Sequence, residues 1–307
     1  MSKELWVEKY RPNTAKDYVF KDAHQKHQVS TWIKDQSIPH LLLSGSAGIG
    51  KTTLAKVLIK ELGIEEYDVL EINASRTNSV EDVRDKITNF VQMIPFGPFK
   101  IVLLDEADYL SPNAQAALRG VMEEYSSTSR FILTCNYPNR IIPAIHSRCQ
   151  GFHVEKVDQV EFTARVATIL IEENTDFELD DLDTFVKATY PDLRKCINMV
   201  QQHVSSGKLS PPTSGAGNEA DWKIDMVELF KKGKIREART LVCGRARPEE
   251  IEDIYRWMYD NLELFGKDDD TKDTALLMIK EGLVNHALIA DPEINLAATL
   301  IKLARLQ

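Results

Sequence analysis

Apolar residues fall along this chain in two rhythms that change near residue 155. Before that point, short apolar runs alternate with longer stretches of helical periodicity. His40-Leu-Leu-Leu-Ser44 predicts a buried strand. The stretch from Lys51 through Leu62 predicts a helix that Gly63 terminates. The alternation continues with a strand at Val69–Asn73, a helix around Val80–Gln92, a strand at Lys100–Asp105, a helix around Pro112–Tyr125 and a strand at Arg130–Asn136. Strands alternating with helices in this way predict an α/β fold, a parallel sheet with helices on both faces.

Beyond residue 155 the strand-like runs stop. Gln159–Asn174 and Leu179–Tyr190 have the spacing of amphipathic helices, which predicts a small helical domain. The Ser-, Gly- and Pro-rich stretch from Ser205 to Asn218 predicts a flexible linker, and Trp222–Gln307 again predicts only helices, broken near Gly244, Gly266–Asp270 and Asp291-Pro292. The expected division is 1–153, 154–208, a linker at 209–220, and 221–307. No internal repeat is visible.

At 307 residues and 43% hydrophobic content, the chain can bury more than one core, which excludes a disordered or fibrous protein. It has neither an apolar run near the ~18 residues of a membrane span nor a signal-peptide pattern at its start, so the expectation is a soluble cytoplasmic protein without a membrane partner. Cys135, Cys149, Cys196 and Cys243 are widely spaced, which predicts reduced thiols and not a zinc site or disulfide framework. The net charge of −9 is local: residues 1–153 hold 18 basic and 18 acidic residues, whereas 154–307 hold 20 and 29. A phosphate-rich partner would therefore meet a restricted surface of the first half.

Gly45-Ser46-Ala47-Gly48-Ile49-Gly50-Lys51-Thr52 fits the pattern GxxxxGK[ST] between a predicted strand and a predicted helix. Glycines free the backbone to turn its N–H groups toward phosphate, and the helix that follows presents its positive end. Lys51 would reach the β- and γ-phosphates of ATP, and Thr52 would hold Mg2+. Ile101-Val-Leu-Leu-Asp105-Glu106 supplies the partner motif, a buried strand whose carboxyl end presents two carboxylates. Asp105 would hold the magnesium through water, and Glu106 would orient or deprotonate the attacking water. An apolar run ending in acids is a weak signal alone and a strong one beside the phosphate loop.

Further segments complete a resemblance. Trp6-Val7-Glu8-Lys9-Tyr10-Arg11-Pro12, Asp105-Glu106-Ala107-Asp108, Leu133-Thr-Cys-Asn136, Ser147-Arg148-Cys149 and Pro191-Asp192-Leu193-Arg194 with Asn198 occur in the order found in sliding-clamp loader ATPases. The chain resembles replication factor C small subunits, tightly over about residues 4–200. Its shortness and its Ser46-Ala47-Gly48-Ile49 loop look most like the clamp-loader large subunit of T4-type bacteriophages, which would place it in host cytoplasm.

The resemblance implies an AAA+ αβα core, a helical lid, and an all-helical collar through which copies form a ring or spiral with one distinct subunit. It also implies a DNA-stimulated ATPase that opens a sliding clamp and places it on primer-template DNA. Val7, Glu8, Lys9, Tyr10 and Val19 would line the adenine pocket, with Gly45, Gly48, Ile49, Gly50, Lys51, Thr52 and Thr53 along the phosphates. Asn136 would be a first sensor, bonding the γ-phosphate and the lytic water. Arg194 would be a second sensor from the lid. Arg148 would project into a neighbour's ATP site. Without the resemblance, Asn136 reads as a turn residue and Arg148 as a surface arginine, while Arg194 is as readily a helix-surface arginine as a sensor. DNA would meet the helix beginning near Ser79, with Arg84 the best-placed side chain.

Two departures stand out. Asn78 occupies the place where cellular relatives carry an arginine that restrains the catalytic glutamate, leaving Arg76 either as its substitute or as a solvated loop residue. Arg119-Gly120 replaces a double arginine. The rival readings are a branch-migration or helicase-loading motor and a non-hydrolysing scaffold subunit. A basic winged-helix module would favour the motor, but 211–307 holds 14 basic and 18 acidic residues in helical patterns.

Overall fold

The computed structural model describes residues 4–76, 80–210, 222–246, 250–266, 268–286 and 288–306. Helices α1 (Trp6–Lys9) and α2 (Ala23–Lys34) precede an alternating run. That run comprises β1 (Leu41–Ser44), α3 (Lys51–Glu61), β2 (Val69–Asn73), α4 (Val80–Gln92), β3 (Lys100–Asp105), α5 (Pro112–Glu124), β4 (Ser129–Cys135), α6 (Pro143–His146) and β5 (Gln150–His153). The five strands are all parallel, in the order β2-β3-β4-β1-β5.

Period-two alternation within the strands builds two cores. Leu41, Leu43, Ile101, Leu103 and Ile132 face one way, against Val29, Trp32, Leu54 and Leu58 of α2 and α3. Leu42, Val102, Leu104, Phe131 and Leu133 face the other way, against Ile87, Val91, Leu118 and Met122 of α4 and α5. A sheet covered on both faces needs continuous apolar strands, which is why β1 and β3 are visible in the sequence.

Beside the one-turn helices α1 and α6, two longer or sheet-forming elements of this region, β5 and α2, were not expected. Strand β5 buries only Phe152 and lies at the sheet edge beside β1, so it carries no apolar run. Helix α2 buries only Val29 and Trp32, and its start is fixed by the Asp22 side chain accepting from the Gln25 N–H at 2.8 Å.

The second region holds α7 (Gln159–Glu172), α8 (Leu179–Thr189), α9 (Leu193–His203), α10 (Trp222–Lys231), α11 (Ile235–Arg245), α12 (Ile251–Asp260), α13 (Asp269–His286) and α14 (Pro292–Leu303). The expected linker is corrected at its beginning. Val204–Ser205 (β6) and Lys208–Leu209 (β7) pair antiparallel around Ser206-Gly207, with Leu209 buried. Ser206 and Gly207 both have positive φ, so the polar, Gly-containing composition here makes a tight turn. The rest of the expected linker, 211–218, lies outside the described residues.

Two compact units emerge: residues 1–169 with 191–198, and residues 170–190 with 199–307. Residues 154–208, expected as one small domain, are shared between them. In the second unit a buried polar network joins α12, α13 and α14. Asn295 Nδ2 donates to Tyr255 Oη at 2.8 Å and to the Gly282 carbonyl at 2.7 Å, and Tyr255 Oη lies 3.2 Å from Thr299 Oγ1.

The first unit contains a buried ion pair away from the candidate chemistry. Lys100 Nζ lies 3.1 Å from Asp68 Oδ1, both side chains are nearly fully buried, and Asp68 Oδ2 accepts from the Gly97 N–H at 2.7 Å. Lys100 also sits over the Phe90 ring, 4.3 Å from its centroid. Removing one partner leaves the other charge buried and uncompensated, so Asp68→Ala is expected to destabilise this unit by about 3–5 kcal/mol. Urea unfolding followed by Trp fluorescence measures it, and an unchanged midpoint would refute the expectation.

Candidate nucleotide site

The site forms at the carboxyl ends of the central strands. β1 runs into Gly45, and Gly50 in the left-handed region (φ 98°) turns the chain into α3. The loop is shaped so that only glycine fits it. A Cβ on Gly45 would stand 2.3 Å from the Val154 carbonyl oxygen, and one on Gly48 would stand 2.0 Å from Asp192 Oδ1. Gly45, Gly48 and Gly50 all have positive φ, which a side chain would strain.

Lys51 is buried. Its ammonium donates to the Gly45 and Ser46 carbonyls, at 2.9 and 2.6 Å, and to Asn136 Oδ1 at 2.8 Å. Burial lowers its pKa below the ordinary lysine value. The Cys135 thiol and the Asp105 and Asp108 carboxylates oppose that shift, while the Arg194 guanidinium adds to it. Lys51 and Asn136, 85 positions apart, therefore meet. So do Thr52 and Asp105: Thr52 Oγ1 donates to Asp105 Oδ1 at 2.7 Å. Paired hard oxygens beside a phosphate-binding loop suit a divalent cation that completes its shell with phosphate and water. Among the described residues no cluster of three or more His, Cys, Asp or Glu forms a protein metal cage.

Glu106 adopts a left-handed backbone (φ 57°), unusual for a residue with a side chain, and is half-buried. The turn is held by Thr134. Its hydroxyl donates to Asp105 Oδ1 at 2.6 Å and accepts from the Glu106 N–H at 3.0 Å, so one side chain positions both carboxylate residues. Asp108 does the same for Asn136: its Oδ2 accepts from the N–H groups of Asn136 and Tyr137, at 3.2 and 3.1 Å. Sequence reasoning gave neither residue a role, although both lie inside motifs it quoted.

An open pocket adjoins the loop. Val7, Tyr10, Val19, Gly48, Ile49, Gly50, Thr53 and Arg194, all of them candidate site residues, line it. Glu8 and Lys9 are not among its lining residues. Glu8 accepts from Arg11 at 2.6 Å, and the Lys9 ammonium lies 5.0 Å from the Tyr10 ring centroid. Asp192 caps α9 by accepting from the Lys195 N–H at 2.9 Å, which fixes the helix start that carries Arg194.

Arg148 takes no part in this pocket. Its guanidinium pairs with Glu123 and donates to the Ala144 carbonyl at 2.7 Å. Arg84 and Arg76 are exposed, and Ser79 and Asn78 lie outside the described residues. The four cysteines are free thiols; burial pushes the pKa of Cys135 up to about 11 and that of Cys149 to about 12. Among the described residues no helix is long and apolar enough to cross a membrane.

A parallel sheet, a glycine loop opening a helix, and a Thr52–Asp105 pair beside Glu106 define a P-loop ATPase. The profile of the ATPase family associated with various cellular activities (AAA) matches residues 41–155. The replication factor C small subunit of Sulfurisphaera tokodaii is 35% identical over 98% of this chain and 95% of its own length. That of Aeropyrum pernix is 41% identical over 76% of this chain and 70% of its own. The Thermotoga maritima RuvB Holliday junction branch migration motor superposes with a TM-score of 0.56 at 15% identity, over 80% of each chain, which is a likeness of fold. The chain belongs to the replication factor C small-subunit family of AAA ATPases, and is a clamp-loader ATPase of DNA replication.

Proposed function

We propose that this chain uses ATP binding to hold a sliding clamp open around primer-template DNA and hydrolysis to release it, acting as one of several copies in a cytoplasmic spiral. The observation that carries the reading is 35% identity spanning nearly the whole chain, with Lys51, Thr52, Asp105 and Glu106 all in place. Residues 1–153 form the ATPase core in this reading, 154–208 the lid and 221–307 the collar. A distinct subunit closes the spiral. Among the family's variants, the Ser46-Ala47-Gly48-Ile49 loop supports the T4-type bacteriophage form.

In the proposed chemistry, Gly45–Thr52 and Lys51 hold the phosphates of ATP, and Thr52 with Asp105 would hold Mg2+, which supplies charge neutralisation on the phosphoryl oxygens. Glu106 takes a proton from the attacking water, Asn136 orients that water, and Arg194 ties the γ-phosphate to the lid. Asn136 would leave Lys51 to do so, since Lys51 now occupies its carbonyl oxygen.

Two exposed apolar surfaces support protein partners. In the first unit, Ile94 and Phe96 are exposed beside Tyr67, whose ring lies 6.1 Å from that of Phe96; this surface suits the clamp. In the second unit, Leu277, Val284, Leu288 and Ile294 are exposed on and between α13 and α14, which suits contact between copies. DNA would lie along the start of α4, near Ser79 and Arg84.

Primed DNA and the cognate clamp together are expected to raise ATP turnover of the complete assembly by at least tenfold over either alone. Phosphate release from size-resolved complexes measures this. Absence of joint stimulation would count against clamp loading and leave a motor of the same fold.

A further inference from the structure

Tyr18 stands beside the nucleotide pocket with an unmet hydrogen bond. Its side chain is buried, its ring packs edge-on against Phe20 with centroids 4.8 Å apart, and its hydroxyl has no partner among the described residues. Burial raises the phenol pKa, so the group stays protonated and keeps its donor at any physiological pH. Buried hydroxyls are ordinarily paired, and a lone one is costly unless something else supplies the partner.

The hydroxyl faces the P-loop. A Cβ built on Gly50 would stand 3.2 Å from Tyr18 Oη, and Tyr18 lines the same pocket as Val7, Val19, Ile49 and Thr53. Two polar side chains of the loop are already committed: Lys51 to carbonyls and Asn136, Thr52 to Asp105. The apolar side of the pocket suits the flat face of a purine, and a purine edge carries the nitrogen acceptors and amino donor that a phenol can meet.

We propose that Tyr18 is a specificity-determining residue whose hydroxyl donates to a ring nitrogen of the adenine base and accepts from its neighbouring 6-amino group, completing its own bonding only when nucleotide is bound. The proposal rests on the ATP-site reading and adds the group that reads the base. Two consequences are opposite in sign. Without nucleotide, removing the hydroxyl relieves an unpaired buried polar group. With nucleotide, the same removal discards a bond.

Tyr18→Phe in the full chain is the test, since it keeps the ring and its contact with Phe20. Calorimetric titration with ATP and with the 6-unsubstituted purine riboside triphosphate, together with thermal melts, gives the readouts. The variant is expected to melt no lower than the parent without nucleotide. It should bind ATP about 5–20-fold more weakly and lose most of the parent's preference for ATP over the unsubstituted analogue. ATP affinity within twofold of the parent, or an unchanged preference between the two nucleotides, would overturn the role of Tyr18. Lys51→Ala, run alongside, separates the two layers. If it abolishes ATP binding while Tyr18→Phe does not weaken it, the site stands and the Tyr18 proposal falls. If Lys51→Ala binds ATP like the parent, the site reading itself fails and takes the proposal with it.

Discussion

Glu106→Gln protein is expected to bind ATP with nearly unchanged affinity and to hydrolyse it about 10²–10⁴-fold more slowly. The carboxamide matches the carboxylate in size and can hold the same left-handed backbone turn, so Thr134 still accepts from the residue 106 N–H and still donates to Asp105. The amide lacks the ability to take a proton from water. At about 1.36 kcal/mol per tenfold, the loss corresponds to roughly 3–5 kcal/mol of transition-state stabilisation. ATP affinity rests instead on Gly45–Thr52 and on the buried Lys51, none of which the substitution touches. Phosphate release under saturating ATP, paired with a direct binding titration, separates the two quantities. Turnover within about threefold of the parent would remove Glu106 from the chemistry, because general-base contributions are ordinarily far larger.

The phosphate loop and its acidic partner strand were legible because their chemistry and their fold demand the same residues. Glycine at 45, 48 and 50 is favoured by positive φ, and at 45 also by the close approach of the Val154 backbone carbonyl. The continuous apolar runs of β1 and β3 follow from burial on both faces. What escaped notice has the opposite character. Strand β5 is an edge with one buried residue, and α2 has two, so neither imprints a period on the sequence. Thr134 and Asp108 act on backbone N–H groups and on a neighbouring carboxylate, contacts that depend on which strand ends are adjacent. Register supplies that adjacency, and a single sequence does not display it. Tyr18 is harder still to see, since an unpaired hydroxyl is defined by everything around it.

Arg148→Ala protein is expected to fold and bind ATP but to hydrolyse it about 10³–10⁵-fold more slowly, the range for loss of an arginine that neutralises a transferring phosphoryl group. Its present partner is Glu123, in a partly exposed pair, and such pairs contribute about 0–1 kcal/mol, so unchanged melting would exclude unfolding as the cause. The guanidinium takes no part in its own chain's pocket, and head-to-tail packing of identical chains offers the geometry in which it enters the next. Mixing separates the two arrangements. If Arg148 acts from a neighbour, a chain carrying Arg148→Ala has an intact Glu106 and is completed by the Arg148 of an adjacent Glu106→Gln chain. In random assemblies from equal amounts, about a quarter of interfaces would then hold a complete site, and turnover should recover toward that fraction of the parent's. If Arg148 acts within its own chain, every site in the mixture carries one defect, and turnover stays at the level of the separate variants at every ratio.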